Sequence, residues 1–106
     1  HTYAHAIEAA TTYGTFLHGE AVAMGMTLAA ATASRLGLLD TSHFHRQTQL
    51  LKKLGLPTDA TKFDSAMLWR LMQSDKKVEN GRLTLILPTR IGEVQAVRDV
   101  DFKDAF

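Results

Sequence analysis

The chain has 106 residues, no cysteine and a formal net charge of +1, with 45% apolar and 22% charged side chains. That length supports one domain with a packed core. The charge balance gives no basic field for nucleic acid, the lack of cysteine excludes disulfides and thiolate metal sites, and no run of about eighteen apolar residues offers a membrane span. No charged-then-apolar leader is visible, so a cytoplasmic protein without nucleic-acid or membrane partners is expected. The helical pattern is already under way at His1, which reads as a segment of a longer protein cut inside or just before a functional motif.

In chain order, Ala4, Ala6, Ala9 and Ala10 predict a first helix over about Thr2–Thr12, stopped by Tyr13-Gly14. A second, longer helix is expected over about His18–Leu36. It is built of Ala and Met with few polar residues, so most of its circumference should be buried, and Gly37 closes it. Gly25 within it costs up to about 1 kcal/mol against Ala, which points to a close backbone neighbour. Thr41 or Ser42 is a candidate cap for a third helix over His43–Leu54, and Asp64 or Ser65 for a fourth carrying Met67, Leu68, Leu71 and Met72. The period then changes to that of a strand. Leu83–Leu87 is a β-prone run ended by Pro88, Ile91-Gly92 turns the chain, and Val94–Val97 completes a hairpin. Asp101 can cap a last short helix. The expected architecture is mainly α with one small β-hairpin.

Chemistry concentrates between His1 and Glu20. His1 and His5 are four apart and share a helix face. A chain that doubles back at Tyr13-Gly14 brings His18 alongside them. Neutral imidazoles are common ligands for borderline metals such as zinc, and two or three of them with one carboxylate make an open catalytic site. By itself His5 reads more readily as a core histidine bonded to a backbone carbonyl. Glu8, one turn after His5, fits either an orienting partner for a histidine or a solvated helix carboxylate. Glu20 lies in the first turn of the second helix, where a carboxylate complements the dipole, so a structural duty is expected there. His43 and His45, two apart, fall on different faces and read as structural.

Three ordered segments, H-T-Y-A-H-A-I-E-A-A from His1, L-H-G-E-A-V-A-M-G-M from Leu17 and D-K-K-V-E-N-G-R-L-T-L-I-L-P from Asp75, together with a closing I-G-E-V and D-V-D, resemble the C-terminal domain of 3-dehydroquinate synthase, of the sugar phosphate cyclase group. Ala4 stands where the family motif usually has Gly. The resemblance implies a two-domain enzyme that uses NAD and a divalent metal, usually zinc, to convert the seven-carbon sugar acid phosphate DAHP into 3-dehydroquinate and phosphate, in the shikimate pathway. Oxidation, phosphate loss, re-reduction, ring opening and aldol closure are the implied steps. It implies His1 and His18 as metal ligands, with a glutamate of an N-terminal NAD-binding domain as the third. His5 is implied as the proton-transfer residue, and Lys76 or Lys77 as the anchor for the substrate's negative charge. Residues 1–106 then form a single helical domain that is inactive alone, holds metal weakly, and exposes an apolar face where the N-terminal domain packs. The parent is expected to be a homodimer. Arg82 and Arg90 read as surface residues.

Rival readings are weaker. His1 and His5 have the spacing of a zinc-peptidase H-E-x-x-H, but Thr2 occupies the place of the general-base Glu. Iron-type alcohol or glycerol dehydrogenases share a similar H-G motif, yet D-K-K and H-T-Y-A-H-A-I-E argue against them. Another cyclase of the same group is a closer alternative, and a non-catalytic helical interaction module is the alternative from another class.

Overall fold

The computed structural model describes residues 1–11, 15–74, 78–79 and 82–106. Its elements run α1 (Thr2–Ala10), α2 (His18–Arg35), α3 (Thr41–Lys53), α4 (Ser65–Gln73), β1 (Val78–Glu79), β2 (Arg82–Arg90), β3 (Glu93–Arg98) and α5 (Phe102–Ala105). The three strands form one antiparallel sheet in the order β1-β2-β3. The mainly helical architecture with a small hairpin matches the sequence pattern. No helix among the described residues is long and apolar enough to cross a membrane.

α2 is the central element, touched by α1, α3, β2 and α5. Its small side chains explain this: Ala21, Ala23, Met24, Gly25, Ala30, Thr32 and Ala33 are buried on several sides of the helix, and Met26 and Arg35 are its exposed positions beyond the first turn. Ile7 of α1, Met24 of α2, Leu68 and Met72 of α4, and Leu85 and Leu87 of β2 fill the space between them. In β2 the alternation is strict, with Leu83, Leu85 and Leu87 buried and Ile86 facing out at 46% exposure.

Several boundaries differ from those read in the sequence, each for a local reason. α1 stops at Ala10, and Thr11 caps it at φ −102° and ψ 4°, its N–H and hydroxyl both donating to the Ile7 carbonyl, at 3.1 and 2.8 Å. The cap of α3 is Asp40 and not Thr41 or Ser42: its carboxylate accepts from the Ser42 N–H at 2.8 Å, and the hydrogen bonds from Ser42 hold that carboxyl below its usual range. Asp64 caps α4 in the same way, accepting from the Ala66 N–H at 3.1 Å. β2 does not end at Pro88 but runs on to Arg90. The proline opposes Val94 beside a register shift between Pro88 and Arg90, a place in a strand where a missing N–H is tolerated. A two-residue strand, β1, also joins the hairpin.

The C-terminal turn is tied to α1 by a buried polar knot. The Tyr3 hydroxyl, on a side chain 4% exposed, meets the Thr32 hydroxyl at 2.7 Å and donates to the Ala105 carbonyl at 3.0 Å. Arg35 Nε donates to the Asp104 carbonyl at 2.8 Å. Burial pushes the Tyr3 phenol up to about 12 from 10.0, against the smaller lowering effects of Thr32 and Arg35. Because the folded-state value is the higher one, the folded protein holds this proton more tightly. The stabilisation is complete below pH 10 and disappears as the pH rises towards 12. Urea unfolding followed across that interval should lose about 2 kcal/mol of stability in the unsubstituted chain. In Tyr3→Phe the part of that loss due to this proton should vanish; an identical alkaline slope in the two proteins would contradict the assignment.

Candidate metal centre

Two short pieces of chain build the site. His1 is the N-cap of α1, and its carbonyl accepts from the His5 N–H at 2.8 Å, so the two histidines stand one turn apart on a regular helix. His18 opens α2. Leu17 before it is extended, at φ −65° and ψ 149°, and its N–H donates to Glu20 Oε1 at 2.8 Å. Glu20 is thereby committed to the backbone, the structural duty its first-turn position suggests.

The fold brings the three imidazoles together. The His1 and His18 ring centroids are 5.4 Å apart, edge to face at 76°, and those of His1 and His5 are 5.6 Å apart. All three residues are exposed at one end of the α1–α2 pair. Glu8 Oε1 lies 2.9 Å from His18 Nδ1. The Glu8 side chain is 16% exposed and that of His18 is 59% exposed. Of the two alternatives for Glu8, the geometry thus selects the partner of a histidine, and the histidine is His18 across the turn rather than His5 on its own helix.

Two imidazoles bound to one tetrahedral cation through nitrogens at about 2.0–2.1 Å hold their centroids about 5 Å apart. The His1–His18 separation of 5.4 Å is a small side-chain adjustment from that value, so this pair fits a borderline divalent cation. Among the described residues no group of three or more His, Cys, Asp or Glu side chains closes on one point.

Lys76 and Lys77 lie outside the described residues. Arg90 is on the surface, 3.3 Å from Glu93. His43 has a structural task that no local pattern signalled: its Nδ1 accepts from the Ile91 N–H, 48 positions away, at 3.0 Å and ties α3 to the hairpin turn. His45 packs edge-on against Phe44. An apolar groove of about 220 Å³ runs beside His1, lined also by Tyr3, Val22, Met26, Leu85 and Val94 among others.

The fold is that of a sugar phosphate cyclase domain. Two solved cyclases share the fold. One is ValA, the 2-epi-5-epi-valiolone synthase of Streptomyces hygroscopicus subsp. jinggangensis 5008 with NAD+ and Zn2+ bound, at a TM-score of 0.86 and 27% identity, over 99% of this chain and 29% of that one. The other is a 2-deoxy-scyllo-inosose synthase complexed with carbaglucose-6-phosphate, NAD+ and Co2+, at a TM-score of 0.74 and 31% identity, over 90% of this chain and 27% of that one. Sequence relatives are more similar: the 3-dehydroquinate synthases of a Picosynechococcus species and of Shewanella loihica are 48% and 46% identical over 89% and 94% of the chain. The model of the 3-dehydroquinate synthase C-terminal family matches residues 1–78, and the chain belongs to that family. It spans only 26% and 28% of the length of those two relatives.

The approach of the two histidine-bearing segments depends on Gly25. A Cβ placed there would lie 3.0 Å from the Ala4 backbone nitrogen and 3.4 Å from the Ala4 Cβ. Gly25→Ala should therefore destabilise the fold by about 1–3 kcal/mol through overpacking, in spite of the roughly 1 kcal/mol that the exchange gains in an unobstructed helix. A denaturant melt checks this, and a stabilised variant would show that α1 is free to move away from α2.

Proposed function

We propose that residues 1–106 are the single helical C-terminal domain of a 3-dehydroquinate synthase, which converts DAHP into 3-dehydroquinate and phosphate when joined to an N-terminal NAD-binding domain. The observation that supports this most is the meeting of His1 and His18 at 5.4 Å, on a fold shared with cyclases solved with NAD+ and Zn2+ or Co2+ bound. Relatives named for this reaction are 38–48% identical, against 27–31% for the two cyclases that make other products, which favours the 3-dehydroquinate reading within the group.

In this reading His1 and His18 hold a divalent cation, with zinc the best match to imidazole donors. The chemistry such a cation supplies is Lewis-acid acidification of a bound hydroxyl, and NAD supplies the hydride acceptor. His5 stands one turn from His1 and takes the hydroxyl proton, a task suited to an imidazole near neutral pH. Lys76 or Lys77 anchors the carboxylate or phosphate of the substrate as a point charge. The N-terminal domain supplies a third ligand and covers apolar surface. Met26, Ile86 and Val94, exposed at 41%, 46% and 64%, lie along the groove next to His1, as a domain interface would require.

Two measurements test this reading. The 106-residue chain, mixed with DAHP, NAD and Zn²⁺, should release no phosphate; turnover by the chain alone would refute the division of labour between domains. In a full-length synthase carrying this domain, His18→Ala should remove bound metal and abolish activity. His43→Ala should leave activity in place and cost about 1 kcal/mol of stability through its lost hydrogen bond to Ile91. Equal losses of activity from the two substitutions would overturn the assignment.

A further inference from the structure

We infer that Glu8 is a positioning residue that fixes the tautomer and aim of the His18 ring, leaving its Nε2 lone pair for the cation; this rests on the reading of His18 as a ligand. An ionised carboxylate can only accept a hydrogen bond. At 2.9 Å from Glu8 Oε1, His18 Nδ1 is therefore the donor, and in the neutral ring Nε2 is left unprotonated. Without this contact a ring 59% exposed would rotate and exchange tautomers freely, whereas the Glu8 side chain is 16% exposed and carried by a regular helix.

Placement on α1 makes the device economical. At about 100° per residue, His1, His5 and Glu8 fall within an arc of roughly 60° on the helix. One stripe of α1 thus presents two imidazoles and the carboxylate that aims the third. Glu20, the other acid close to His18 in sequence, is occupied by the Leu17 N–H. A carboxylate on the far nitrogen also raises the basicity of the liganding one, and losing such a partner weakens metal binding roughly 10–100-fold.

The tautomer can be read without any metal, from the ring nitrogens in ¹H–¹⁵N spectra of the ¹⁵N-labelled chain at neutral pH. His18 should carry its proton on Nδ1. Glu8→Ala should move it towards Nε2, and Glu8→Gln, whose amide oxygen still accepts, should largely keep it on Nδ1. Titration with Co²⁺, followed by its visible absorption, should show binding weakened roughly 10–100-fold in Glu8→Ala, less in Glu8→Gln, and lost in His18→Ala. Circular dichroism reports whether α1 survives; should Glu8→Ala unfold, the tautomer of the unsubstituted chain and the Glu8→Gln titration still decide. Protonation on Nε2 in the unsubstituted chain overturns the inference. So does Co²⁺ binding that falls with His18→Ala but holds in a folded Glu8→Ala protein, and in both cases the ligand assignment stands. Binding indifferent to His18→Ala overturns the ligand assignment and the inference with it.

Discussion

Helix α1 lies against α2 at a point with no room for a second side chain, because a Cβ on Gly25 would press on the Ala4 backbone nitrogen at 3.0 Å. That contact sets the distance between the two helices, and with it the distance between the residues at their ends. His1 and His5 flank Ala4 in sequence, and His18 begins the helix that carries Gly25. Tyr3 and Ile7 of α1 are buried and the Tyr3 hydroxyl bonds Thr32 of α2, so the helix cannot drift outwards without opening the core. Packing density in the interior is what converts a small-residue contact into a fixed spacing at the surface.

Around this contact, polar groups divide the remaining tasks. Glu20 caps Leu17 and sets where α2 begins, Glu8 holds the ring of the first residue of α2, and the Tyr3–Thr32–Ala105 knot secures the C-terminal turn against α1. Among the described residues every buried side-chain nitrogen and oxygen has a partner. His1, His5 and His18 are exposed on this scaffold, which has little freedom to rearrange. In the proposed reading such a domain offers a cation part of a coordination shell and another body of protein supplies the rest. That division fits a chain spanning little more than a quarter of its relatives' length.

Much of the fold was legible because its signals are local. Ala-rich composition marks α1 and α2, the φ of +74° at Gly37 is a helix stop that glycine favours, and the period-2 run from Leu83 marks β2. The misplaced boundaries have local rivals: Asp40 and Ser42 both suit a cap, and the carboxylate one residue before the helix captured the Ser42 N–H. Pro88 reads as a strand end by its chemistry, yet a register shift in the opposing pair accommodates it. The hydrogen bond from Ile91 to His43 bridges 48 positions and leaves no trace in either segment's pattern.

The sequence by itself determined the helical periods, the need for a close neighbour at Gly25 and the supply of imidazoles near one end, because these follow from propensity, side-chain size and spacing along a single element. Only the tertiary structure decided that His1 and His18 face one another, that Glu8 serves His18 and not His5, and that Glu20 serves the backbone. Those choices depend on how α2 returns across α1, and the angle and depth of that return are set by side chains packed from α4, β2 and α5, far from the residues whose chemistry they position.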